Sequence, residues 1–198
     1  MRCYFHNDID GRASAAIVWH YAGGKEKNCK MIEVDYKDEI KVNEIADGEE
    51  IVIVDFSFKP EIMAEVLEKT TDVTLMDHHK TVENYPYINS LKGLRDFKNK
   101  SMAGCELTWT YFCSDIPIPQ AIILIGDYDK WALNYDPACF QFHEGMRMVE
   151  NEPKNEIWNN LFSGKYPEIL NGIIERGKIA IGYRDNYCTD IRNGYGYE

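Results

Sequence analysis

The chain has 198 residues, and its 22 Lys+Arg against 33 Asp+Glu leave a formal charge of −11. That length fits one ordinary domain, or one domain with a small appendage, and excludes a peptide-scale scaffold. A surface this acidic repels nucleic acid as a whole, so long duplexes are excluded as partners and any polyanionic substrate needs a local positive centre such as bound metal.

In chain order, the opening segment MRCYFHNDIDG carries acids where a secretory signal has its apolar stretch, so a cytoplasmic protein is expected. Its CYF run leads into His6, Asp8 and Asp10. Arg12 to Ala22 is helical in pattern and stops at Gly23 and Gly24. Lys30 to Val34 reads as a strand, and Asp38 to Ala46 as a helix ending near Gly48. The β-branched run Ile51 to Val54 is a buried strand closing on Asp55. Pro60, a favoured first helical position, opens a helix with Ile62, Val66 and Leu67 on one face. Val73 to Met76 is another strand, closing on Asp77.

Asn84 to Ser90 and Lys92 to Lys100 read as polar connections. From Ser101 the pattern turns helical, with Leu107, Tyr111 and Phe112 on the apolar face. The run Ala121 to Ile125 leads to Gly126 and Asp127 and fits helix or strand; it is far short of the roughly 18 residues of a membrane span. The tail is helical through Met146, Val149, Ile157, Leu161, Ile169, Ile173 and Ile174, then ends in a Gly/Tyr/Asn segment. Cys3, Cys29, Cys105, Cys113, Cys139 and Cys188 include no C-x-x-C pair and are expected to be reduced packing residues.

Strands alternating with helices predict an α/β fold, a mostly parallel β-sheet flanked by helices, with a helical C-terminal portion. Ligands of open parallel sheets bind beyond the carboxyl ends of the strands, so His6, Asp8, Asp10, Asp55 and Asp77 converge on one edge. In HNDIDG, an imidazole and two carboxylates at one-residue spacings supply three ligand groups above the tight turn that Gly11 permits. The plain alternative is that Asp10 caps a helix starting near Arg12 while Asp8 is solvated. MDHHK, Met76 to Lys80, could likewise be a satisfied turn. Several carboxylates gathered at one edge repel one another, however, and divalent cations resolve that conflict. Mixed imidazole and carboxylate donors suit Mn²⁺, Fe²⁺, Co²⁺ or Zn²⁺ better than Ca²⁺.

These segments, HNDIDG, IVIVDFSF, LMDHHK and LIGDYDKW in order, with SMAGCELTW before the last, resemble the DHH phosphoesterase superfamily over roughly residues 1 to 131. That superfamily includes RecJ-type exonucleases, nanoRNases, cyclic-dinucleotide phosphodiesterases and manganese-dependent pyrophosphatases and exopolyphosphatases. The resemblance implies a catalytic α/β core over 1–135 and a helical extension over 136–198, leading to a C-terminal substrate-binding domain that this chain lacks. No GGGH motif of such a domain occurs in the sequence.

Carried over by position, the resemblance implies two Mn²⁺ ions, with Mg²⁺ or Co²⁺ as substitutes. His6 and Asp8 would serve one ion, Asp10, His78 and Asp127 the other, and Asp55 would bridge them. Asp77 would orient an imidazole and His79 would face the substrate phosphate. The implied activity is two-metal hydrolysis of phosphodiester or phosphomonoester bonds in nucleotides or short oligonucleotides. Pyrophosphate or polyphosphate hydrolysis and a non-catalytic nucleotide-binding module are the alternatives.

Arg12, Lys80 and Ser101 are candidate phosphate contacts, Ser101 also standing where a helix cap belongs. Asp129 reads as a surface acid or a support behind the ligands, with an alternative as ligand. Trp109, Tyr111 and Phe112 read as core, and Trp131 as the best base-stacking candidate. His20 and His143 read as surface or satisfied core histidines.

Overall fold

The computed structural model describes residues 1–98 and 101–195. Four strands, β1 (Arg2–His6), β2 (Lys30–Val34), β3 (Ile51–Val54) and β4 (Val73–Met76), form one parallel sheet in the order β2-β1-β3-β4. Arg2 pairs with Lys30 on one side and Ile51 on the other, and Val54 pairs with Met76, so the strands end in near register. The chain leaves β1 towards β2 and then crosses to β3 on the opposite side. The order therefore reverses between β1 and β3, which is where open α/β sheets form their ligand crevice.

Both faces of the sheet are covered over β1, β3 and β4, which is why these read largely as apolar runs, while the edge strand β2 keeps Lys30 and Glu33 exposed. On one face Tyr4, Ile51, Ile53, Val73 and Leu75 pack against Met63 and Val66 of helix α2 (Pro60–Lys69). On the other, Cys3, Phe5, Val52, Val54 and Met76 meet Ala15 and Val18 of α1 (Ile9–Tyr21) and Leu107 of α3 (Gly104–Phe112). Burying one such aliphatic side chain is worth about 1.5–3 kcal/mol.

The Ala121 to Ile125 run is helical, within α4 (Gln120–Asp129). Ala121, Ile122, Leu124 and Ile125 are buried, one face at helical spacing. Helices α5 (Ala138–Met146), α6 (Glu156–Ser163) and α7 (Pro167–Tyr195) follow. One apolar cluster, with Trp109, Phe142 and Trp158 in it, joins α1, α3, α4, α5, α6 and Ile173 of α7, drawing on both sides of residue 135.

Several expected boundaries move. Helix α1 starts at Ile9, not near Arg12, because Asp8 rather than Asp10 is its cap, accepting the Gly11 amide at 2.8 Å. The helix expected over Asp38 to Ala46 shrinks to a single 3-10 turn, Val42–Glu44. Asp35 and Asp38 close a turn on each other before it, and the buried Arg2 guanidinium takes the Glu44 carbonyl that a continuing helix would use. Tyr111 is exposed rather than packed. Lys92 and Arg95 pair with Thr74 and Asp77, so part of the polar connection runs beside β4. Residues 99 and 100 of that connection, and 196–198 of the tail, lie outside the described residues. All six cysteines are free, five of them buried. No helix among the described residues is long and apolar enough to cross a membrane.

Candidate metal centre

The carboxyl ends of β1, β3 and β4 bring three overlapping donor groups together: His6, Asp8 and Asp55; Asp55, His78 and His79; and Asp10, His78 and Asp129. Within each group one ligand atom per residue lies within 4.8 Å of the others. Asp55 is the hub. It follows β3 with φ 53°, the left-handed region that a side chain occupies only at a cost. It is buried, and neither carboxylate oxygen has a hydrogen-bond partner among the described residues. Burial, then the charges of Asp10, Asp8 and Asp129, push its pKa well above the usual carboxylate value.

Asp10, in the first turn of α1, is buried and held at the N-terminus of α3. Its oxygens accept the amides of Gly104 at 2.8 Å and Cys105 at 2.7 Å. Two orphan helix donors and the helix dipole thus fix an anion beside Asp55. Gly104 is what allows the approach, since a Cβ there would stand 2.6 Å from the Asp55 Cβ. The sequence segment SMAGCELTW is small at that point for this reason.

His78 Nε2 is buried without a hydrogen-bond partner among the described residues, 3.2 Å from Asp55 Oδ1, 3.2 Å from Asp129 Oδ2 and 3.7 Å from Asp10 Oδ2. Burial lowers its pKa despite these acids. His6 Nδ1 lies 2.6 Å from Asp8 Oδ2 and 3.9 Å from Asp55 Oδ2. The hydrogen bond to Asp8 raises the pKa of His6, against burial. Asp77 is fully buried, takes the Ser57 hydroxyl at 2.5 Å, and accepts both the amide and Nδ1 of His79 at 3.0 and 2.8 Å. Nδ1 of His79 is therefore the protonated nitrogen in its neutral form, and Nε2 is left for another partner. Burial alone would lower the His79 pKa, but the hydrogen bond and charge of Asp77 raise it.

The expected fourth-motif ligand changes. Asp127 does not face the cluster: its carboxylate accepts the Asn134 amide and side chain at 2.9 and 3.1 Å and the Tyr135 amide at 2.9 Å. It anchors the loop after α4, where Trp131 and Leu133 both have positive φ. Asp129, two residues on, stands at the cluster instead. Burial and the charges of Asp10 and Asp8 push its pKa up to about 8.

The expected phosphate contacts separate. Arg12 is held by Glu33 and Asn151 and lines a pocket beside Asp8. Lys80 is exposed on the single turn that follows His79. Ser101 is neither cap nor part of the cluster. Its hydroxyl lies 2.5 Å from Asp96, while α3 starts at Gly104 and Glu106 receives the Ala103 amide. Trp131 is exposed and packs edge-on to Tyr128 and Phe140. His143, read as a surface or satisfied core histidine, stacks on Tyr128 and lines the same pocket as Arg12.

Residues 2–126 match the family model described as DHH family, N-terminal domain. The chain belongs to the DHH family. Over 140 residues this DHH chain is 26% identical to an uncharacterized protein of Acanthamoeba polyphaga mimivirus, covering 62% of the chain and 31% of that protein. Its fold is similar to an uncharacterized protein from Helicobacter pylori G27, with TM-score 0.57, 17% identity, and coverage of 91% of this chain and 63% of the other. It is also similar to exonuclease RecJ bound to manganese, with TM-score 0.51, 12% identity, and coverage of 93% and 62%. The chain thus spans about a third of the curated relative and under two thirds of the solved chains.

The donor set of this DHH domain suits divalent cations. Asp55 with two orphaned buried oxygens and His78 with an orphaned Nε2 are desolvated groups that a cation would satisfy. Its nitrogen and carboxylate donors include no thiolate.

Proposed function

We propose that this DHH domain is the catalytic part of a metal-dependent phosphoesterase that hydrolyses phosphodiester or phosphomonoester bonds in nucleotides or short oligonucleotides. The observation that carries the reading is Asp55, a buried carboxylate with no hydrogen-bond partner among the described residues that belongs to two donor groups at once. His6, Asp8 and Asp55 would hold one cation, and Asp10, His78, Asp129 and Asp55 a second. Mn²⁺ is the proposed ion, with Mg²⁺ or Co²⁺ as substitutes, and the manganese in the RecJ structure supports it. The chemistry that a metal pair held by these residues would supply is Lewis acidity towards phosphoryl oxygens and activation of water, with a positive field at the site that the chain otherwise lacks.

The protein's own groups do the rest. Gly104 and Cys105 amides fix Asp10, so the donor geometry is set before ligand arrives. Ser57 and Asp77 fix the His79 ring. The charge of Asp77 keeps a proton on that ring further towards neutral pH, and Nε2–H can donate it to a phosphoryl or leaving oxygen. Arg12, immobilised by Glu33, places a guanidinium next to Asp8.

Hydrolysis assayed with Mn²⁺ across dinucleotides, nucleoside bisphosphates, cyclic dinucleotides and pyrophosphate tests this. Release from nucleotide esters, abolished by EDTA, is the expected result. A protein that binds Mn²⁺ and cleaves none of these esters would overturn it.

A further inference from the structure

A pocket of about 340 Å³ opens directly beside Asp8, between the start of α1 and the end of α5. Asn7, Asp8 and Arg12 form one side of it, and His143, Arg147 and Asn151 the other. The α5 side lies outside the family match, which ends at residue 126.

The volume is about eleven times the roughly 30 Å³ that one water occupies in the liquid, well beyond the four oxygens of a phosphate and at the small end of ligand pockets. The lining is built for more than an anion. His143 is backed by Tyr128, with ring centroids 3.8 Å apart and planes at 21°. One face of the imidazole is covered by the Tyr128 ring, and the half-buried side chain lines the pocket. Tyr128 is in turn braced edge-on by Phe140 and Trp131, so the platform is rigid. Arg12 is rigid as well, with Nε and Nη2 on Glu33 at 2.9 and 2.8 Å and Nη1 on Asn151 at 2.5 Å. Those contacts leave hydrogens on both Nη atoms. Arg147 is the contrasting element, a largely exposed guanidinium whose nearest acid is Glu144 at 3.6 Å.

We propose that this pocket is the subsite for a nucleoside adjoining the scissile phosphate, with its base stacked on His143 and its further phosphate held by Arg147 and Arg12. The inference rests on the phosphoesterase reading and narrows it to substrates that carry a nucleoside on the Asp8 side. Pyrophosphate and polyphosphate leave the platform unused.

Two comparisons test it in the full chain. The first sets kcat/KM for a 5′-phosphorylated dinucleotide against methyl p-nitrophenyl phosphate, with Mn²⁺, in wild type, His143→Ala and Arg147→Ala. Base stacking contributes about 1–3 kcal/mol, or about 5- to 150-fold. The dinucleotide should lose at least about fivefold in each variant, chiefly in KM, while the small ester changes less than about twofold. Equal losses on both substrates, or none on the dinucleotide, would overturn the subsite. The second measures AMP and ribose 5-phosphate binding by calorimetry with Mg²⁺ present, which needs no turnover and so separates this inference from the catalytic one. AMP should bind tighter, and His143→Ala should erase the difference. Equal affinities in the wild type, or an unchanged difference in the variant, would refute it.

Discussion

Asp127 and Asp129 stand two residues apart on the last turn of α4 and face opposite ways. Asp127 accepts three N–H groups of the Asn134–Tyr135 loop, while Asp129 Oδ2 lies 3.2 Å from His78 Nε2. The two should therefore fail differently on mutation. Asp127→Ala removes the acceptor of three part-buried N–H bonds and should cost about 1–3 kcal/mol of stability. Asp129→Asn should not lower metal-free stability, because it removes a crowded acid, and should weaken metal binding by at least about tenfold. Thermal melts in EDTA combined with Mn²⁺ titration separate them; a metal-binding defect confined to Asp127→Ala would reverse the assignment.

Removing the hub carboxylate should have opposite effects on activity and on the metal-free fold. At neutral pH Asp55 must take up a proton to be buried in this crowded group, a cost that Asp55→Asn removes, so the melting temperature in EDTA should rise, by about 2–4 °C for each kcal/mol relieved. With Mn²⁺ the same variant should lose more than about 100-fold in kcat/KM, beyond what loss of an outer support costs. Unaltered turnover would count decisively against two-metal chemistry.

Gly104→Ala tests whether the approach of α3 matters to the site. The added methyl would lie 2.6 Å from the Asp55 Cβ and 2.7 Å from its Oδ1, and rigid backbone carries both partners. Overpacking of this kind costs about 1–3 kcal/mol, and displacement of α3 also loosens Asp10. The variant should melt lower and bind Mn²⁺ more weakly. Wild-type behaviour in both would mean that the helix can shift freely.

Asp77→Asn should act through His79. Without the carboxylate the cause of the raised imidazole pKa is gone, so burial should bring that pKa down. The acidic-to-alkaline fall in kcat should move to lower pH, with kcat reduced about 10- to 100-fold. A reduced kcat with an unmoved pH profile would indicate a packing role only.

The sign of the pH dependence follows from Asp55 and Asp129. Both hold protons in the metal-free native state where the unfolded chain has released them, Asp129 between its ordinary 3.8 and about 8. A native state that binds more protons loses stability as pH rises. His78, lowered by burial, opposes this only below its ordinary 6.5. From pH 6.5 to 8 the metal-free melting temperature should thus fall, whereas Mn²⁺ affinity should rise as protons stop competing. A metal-free melting temperature that climbs across this window would contradict the buried, crowded state of the acids.

The strands β1, β3 and β4 and their closing acids were legible because these strands are largely buried on both faces and each acid follows an apolar run. Asp129 was not legible, because its choice over Asp127 depends on α4 being a helix. Alternate residues share a face in a strand but are about 200° apart on a helix. The lost helix over Asp38 to Ala46 shows a different limit: its local pattern is helical, but Arg2, some forty residues earlier, takes the Glu44 carbonyl. The grip of α3 on Asp10 spans 94 residues and has no local signal beyond the small residue at Gly104. His143 reads as an ordinary histidine until Tyr128 is seen behind it.

The left-handed backbone of Asp55, φ 53°, also governs which descendants of this chain are accessible. Asparagine and glycine tolerate that conformation, whereas β-branched residues do not. Drift at position 55 is thereby channelled: a lineage that abandons metal binding can keep its fold by passing to Asn or Gly, but not to Val, Ile or Thr. A silent relative would thus carry the trace of its lost chemistry in a single amide or a bare Cα at this corner of the sheet.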